Sequence, residues 1–98
     1  MFRVIDRRTA TNDHGITVQR AGRDFIRYRD GDKVMLIPWE RAATPDQGPA
    51  QIVYVDDKLK WQPPNEAIDI TPEQIAEIAD NVTNAYRELG LTTYIYQR

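Results

Sequence analysis

The chain has no cysteine, no serine and a single histidine. Without cysteine there is no disulfide framework, no thiolate nucleophile and no zinc–thiolate centre. Without serine the commonest hydroxyl nucleophile is gone. The histidine, His14, lies beside Asp13 in a polar stretch where the nearby hydroxyls are Thr9, Thr11 and Thr17. A carboxylate-oriented histidine can act as a base, but a solvated loop pair is the plainer reading, and no catalytic residue is assigned. Phosphate-cradling glycine patterns are also missing, since Gly15, Gly22, Gly31 and Gly48 all read as turn residues. No cofactor is expected. No apolar run approaches the ~20 residues of a membrane span, and Met1 to Asp6 lacks the apolar stretch of a signal peptide. The expectation is a soluble, cytoplasmic protein with no membrane partner.

What is present suits one folded domain over residues 1–98. At 41% apolar and 29% charged residues the chain is too apolar for disorder and long enough for a core without staples. The net charge of −2 hides an asymmetry: residues 1–41 hold nine Arg/Lys against six Asp/Glu, and residues 42–98 hold four against nine. Such a split either marks a charged partner or reflects alternating charges on a solvated hairpin face.

Alternating apolar residues predict strands over Phe2–Ile5, Ile16–Gln19 and Phe25–Arg29. Asp30-Gly31 is a strong hairpin signal and turns the chain into Lys33–Trp39. Pro38 cannot donate to a ladder and is expected at an edge or bulge. Residues 42–50 read as a loop by composition. Gln51–Asp56 is the next strand, Asp57 a tight turn, Lys58–Trp61 a further strand stopped by Pro63-Pro64, and Thr92–Tyr96 a final strand. Thr71, Pro72 and Gln74 form a capping-box start. Ile75, Ile78, Ala79, Val82, Tyr86 and Leu89 then recur at helical spacing, and Gly90 stops the helix. The fold class is α+β: an antiparallel sheet of about six short strands with one long helix, near residues 72–89, packed on one face.

Two charged sets are candidate binding surfaces. The acidic set is Asp56, Asp57, Glu66, Asp69, Glu73, Glu77 and Asp80. A metal site would have to draw on Asp56 and Asp57 with Glu66 or Asp69. Adjacent strand carboxylates point to opposite faces, so turn aspartates are the better reading and no metal site is assigned. The basic set is Arg20, Arg23, Arg27 and Arg29, which with Tyr28 could contact phosphates and stack one base. Strand periodicity sends Tyr28 to the face opposite Arg27 and Arg29. Overall acidity also argues against a nucleic-acid partner.

Lys58-Leu59-Lys60-Trp61-Gln62-Pro63-Pro64, a short polar link, Ile70-Thr71-Pro72-Glu73 and an amphipathic helix together resemble the immunity protein 74 family of bacterial polymorphic toxin systems. That pattern has a basic hairpin, a strand ending in Trp-x-Pro-Pro and a closing helix begun by Ser/Thr with acidic residues. The glycine-turn hairpins at Gly22 and Gly31 match its layout, and the tail from Thr92 to Arg98 has no place in it. The resemblance implies an antidote that binds and occludes a cognate toxin domain, a protein partner, without chemistry of its own. Its rim would be the acidic set against a basic nuclease toxin, or the Arg-rich hairpin against an acidic cleft. The alternative is a small nucleic-acid- or ligand-binding module using that hairpin. Trp61, Pro63 and Pro64 read as structural, with the indole buried under the helix and the prolines stiffening the crossover.

Overall fold

Hairpin turns and one capped helix set the architecture. A computed structural model describes residues 1–44 and 48–96. Among these, the strands are β1 (Arg3–Asp6), β2 (Thr9–Thr11), β3 (Ile16–Ala21), β4 (Phe25–Asp30), β5 (Lys33–Thr44), β6 (Gly48–Tyr54) and β7 (Thr92–Tyr96), with helix α1 (Pro72–Glu88) before β7. They form one sheet in chain order. Helix α1 touches β7 at one end of that sheet and β1, β2 and β3 at the other, so the sheet curls around it.

Two-residue periodicity sorts each strand's side chains. Ile16 and Val18 of β3, Ile26 and Tyr28 of β4, Met35 and Ile37 of β5, and Val53 of β6 are buried on the inner face. They meet Ile78, Ala79, Val82, Ala85 and Tyr86 from α1 in one hydrophobic cluster. At roughly 1.5–3 kcal/mol for each fully buried large apolar side chain, this layer is the main stabilising term. Among the described residues a polar bond crosses it, from Asn81 Nδ2 to the Tyr28 hydroxyl (2.8 Å).

Helix α1 matches its expected start and stop closely. Thr71 Oγ1 accepts from the Gln74 N–H (3.2 Å) while Gln74 Oε1 accepts from the Thr71 N–H (2.9 Å). At the far end Leu91 N–H donates to Tyr86 (2.8 Å) and Gly90 N–H to Arg87 (3.1 Å). Gly90 has φ +82°, the left-handed geometry this double closure requires. The helix ends at Glu88, one residue earlier than expected.

Several expectations need correction. The sheet has seven strands and is mixed: β6 and β7 run parallel, Ala50 opposite Thr92 through Tyr54 opposite Tyr96. The helical crossover carries the chain back before it lays down β7, as parallel pairing demands. Strand β2 was not foreseen, because Thr-Ala-Thr is short and polar. It pairs with both β1 and β3. The loop expected over residues 42–50 is largely strand, since β5 runs on through Thr44 and β6 begins at Gly48; Pro45, Asp46 and Gln47 lie outside the described residues. Gln97 and Arg98 do too.

Lys58–Trp61 is not a strand. Leu59 and Trp61 alternate inward and are buried, but their backbone joins no ladder; the segment is tied by Gln62 N–H donating to Val34 (2.7 Å). Period-two burial without pairing produced the strand reading. The Trp61 ring lies 6.4 Å from that of Tyr28 and 5.0 Å from Lys33 Nζ.

Pro38 is placed as its chemistry requires. It opposes Phe25 as the last β5 residue paired with β4, and Trp39, opposite Val53, is the first paired with β6. The residue without an N–H stands where one ladder hands over to the next.

Candidate functional site

The acidic candidates are spread over three places. Asp56 accepts the Lys58 N–H on its carboxylate (2.9 Å), an Asx turn, and is buried at 9% exposure, while Asp57 beside it is exposed. Glu66 and Asp69 are exposed in the segment before α1, and Glu73, Glu77 and Asp80 are exposed on the solvent side of α1. Among the described residues no group of three or more His, Asp or Glu is placed to hold a metal ion. His14 and Asp13 do not act together either: Asp13 pairs with Arg3 (2.9 Å) in an exposed ion pair, and the His14 N–H donates to Asn12 Oδ1.

Asp56 borders an outer-face cleft of about 440 Å³ with Leu36, Pro38, Glu40, Tyr54 and Lys58. Large apolar side chains surround it. Phe25 opposes Pro38, Tyr54 opposes Tyr96, and the two tyrosine rings meet edge to face at 5.5 Å. Phe25, Tyr94 and Tyr96 remain exposed, at 41–50%. The outer sheet face thus carries exposed aromatic side chains beside charges of both signs.

The basic hairpin divides into two. Arg27 and Arg29 lie on the outer face with Thr17 and Gln19, and Arg27 Nη1 donates to Gln19 Oε1 (3.3 Å). Arg20 faces inward on β3, two residues beyond Val18, and is half-buried. Its guanidinium carbon stands 3.5 Å from the Trp39 ring centroid and 4.9 Å from that of Tyr86. Nη2 donates to Gln51 Oε1 (2.5 Å), and the fully buried Gln51 donates onward to Thr93 (3.0 Å). Burial lowers the Arg20 pKa from its ordinary value; Tyr86 opposes that shift and Arg41 reinforces it. The guanidinium stays charged all the same. Burial pushes the Tyr86 hydroxyl up to about 12, with Arg20 opposing. Among the described residues, Arg20 Nη1, Trp39 Nε1 and the Tyr86 hydroxyl are buried without a hydrogen-bond partner.

Around Arg20 opens a second cleft, of about 600 Å³. Arg7 and Arg8 reach it from the β1–β2 turn, Arg23 from the β3–β4 turn and Arg41 from β5. Trp39, Tyr86, Leu89 and Leu91 supply its apolar wall, and none of the described residues lining it is acidic. Of these arginines only Arg20 and Arg23 were singled out from sequence. Arg7 and Arg8, in the β1–β2 turn, lie far in the chain from Arg41 in β5. The available signal was the phase of β3: Ile16, Val18 and Arg20 share a face, so an arginine had to turn inward.

A chain with an inward arginine, exposed outer aromatics and an Asx turn ahead of a capped helix can be compared with known proteins as a whole. No curated protein and no solved structure matches it. The family model described as immunity protein 74 matches residues 13–95, which takes in the β3–β4 hairpin, the Trp61-Pro63-Pro64 segment and α1, and, contrary to the expectation that the tail from Thr92 has no place in the pattern, most of β7. The chain belongs to the immunity protein 74 family.

Proposed function

We propose that this chain neutralises a bacterial toxin domain by binding it and covering the site through which the toxin acts. Family membership over residues 13–95 is the observation that carries this reading. The mechanism is occlusion, and the antidote contributes surface rather than chemistry.

The outer sheet face is proposed as the contact surface. Tight protein interfaces concentrate their energy in a few aromatic or arginine anchors inside a rim that excludes water. Phe25, Tyr94 and Tyr96 are such anchors in waiting, and Tyr54 and Pro38 join them across the 440 Å³ cleft. Asp56 and Glu40 supply acidic rim charge at that cleft, with the exposed Asp57, Glu66 and Asp69 further along the chain. Glu73, Glu77 and Asp80 belong to α1, on the other side of the sheet, and form the alternative rim.

The test is copurification with the product of the adjacent gene, followed by association kinetics. Tyr94→Ala with Tyr96→Ala should speed dissociation by at least about tenfold, as loss of anchors does. Glu73→Lys with Glu77→Lys should leave association unchanged; slowed association would move the rim to the helix. Nanomolar binding of RNA or DNA with no protein partner recovered would end the antidote reading and favour a nucleic-acid module.

A further inference from the structure

We infer that the arginine cleft at the open end of the curled sheet binds an acidic segment of the partner toxin, a short stretch presenting several Asp or Glu side chains. This rests on the toxin-binding reading and adds a second contact, away from the outer sheet face, with the partner's chemistry there.

The argument begins with convergence. Arg7, Arg8, Arg20, Arg23 and Arg41 come from two turns and two strands, so no local charge run explains their meeting. Like charges gathered in one concave site repel each other. Among the described residues no carboxylate forms an ion pair with any of these guanidinium groups: Asp6 accepts the Arg8 backbone N–H (2.8 Å), and the one ion pair is Arg3–Asp13, elsewhere. Arg20 is held rigidly by Trp39 and Gln51, yet its Nη1 is buried without a partner. That nitrogen is closed to solvent, so the donors a carboxylate can reach are the exposed Arg7, Arg8, Arg23 and Arg41, while Arg20 adds a fixed positive charge at the floor of the cleft.

Carboxylates on a protein fit better than phosphates on a nucleic acid. Trp39, Leu89, Leu91 and Pro49 give the cleft an apolar wall, which suits the methylenes of Asp and Glu. Neither ring is free to stack a base, because Tyr86 is buried and Arg20 covers Trp39. Arg27 and Arg29, which a phosphate track along the hairpin would use, lie on the opposite face.

The test titrates the full chain with a hexaglutamate peptide, inorganic pyrophosphate and a short single-stranded DNA, following the two indole N–H resonances by NMR at about 50 mM salt. The peptide should move the Trp39 resonance and leave that of Trp61, which is in the core. Arg7→Ala with Arg41→Ala should weaken the peptide by at least about tenfold, a loss expected when charge-assisted bonds go. Arg27→Ala with Arg29→Ala should not. No peptide binding, equal loss in both double variants, or tighter binding of pyrophosphate or DNA than of peptide would overturn the assignment. The toxin reading fails separately: peptide binding with no toxin partner recovered would defeat that reading, whereas a toxin complex indifferent to the Arg7/Arg41 variant would defeat the cleft alone.

Discussion

The guanidinium of Arg20 lies 3.5 Å from the centroid of the Trp39 ring while one of its nitrogens donates to Gln51 Oε1 at 2.5 Å. Stacking and hydrogen bonding thus hold one cation from two sides. Arg20→Leu leaves the Gln51 acceptor buried without that donor, at a cost of about 1–3 kcal/mol. Arg20→Leu combined with Gln51→Leu should cost less than the two singles summed, because neither orphan then remains. Urea denaturation of the four proteins gives the coupling, and strict additivity would show that the bond adds nothing.

The phase of α1 can be tested with one buried and one exposed position. Val82 is fully buried and Glu77 exposed. Val82→Asp puts an unpaired charge into the core and should unfold the chain. Glu77→Ala should change stability by less than about 0.5 kcal/mol. Equal denaturation midpoints would mean the helix is turned the other way.

Loss of the cap is a smaller, local effect. Thr71→Ala removes the acceptor for the Gln74 N–H and one half of the box. Stability should fall by about 1 kcal/mol. Thr71→Asp should restore most of it, since aspartate caps as well and suits the positive end of the helix.

Two tyrosines predict an alkaline limit. Burial pushes both Tyr28 and Tyr86 up to about 12, from an ordinary 10.0. The folded chain therefore keeps protons that the unfolded chain releases. This contribution is complete below pH 10 and is lost as pH rises from there towards about 12. In a spectrophotometric titration these two of the five tyrosines should ionise late. Denaturation midpoints should fall over the same interval, and Tyr86→Phe should flatten the slope.

How much of this was legible depends on how local each signal is. The helix could be read almost whole because Thr71, Gln74, the apolar stripe and Gly90 act within a turn or two of one another. The Asp30-Gly31 hairpin was legible for the same reason. The direction of β7 was not, because Thr92–Tyr96 has the same composition whichever way it pairs, and the helix decides where it is set down. Residues 42–50 hide strand ends behind Ala, Pro and Gly, which look like loop. The acidic turn at Asp56-Asp57 could be foreseen, but its place on the outer-face cleft depends on β5. The arginine cleft joins Arg7, Arg20 and Arg41, which no window of sequence contains.

Helix α1 has one consequence for the life history of the chain. It covers β1, β2 and β3, which are made before it, yet it is itself made only at residues 72–88. During synthesis Ile16, Val18, Ile26, Tyr28 and Met35 therefore wait with their apolar side open until the last third of the chain arrives. Contacts so distant in sequence delay the folding transition and leave a nascent chain prone to association with its neighbours. A ribosome stalled before Pro72 would hold a bare, adhesive sheet, and protection would exist only once the brace was in place.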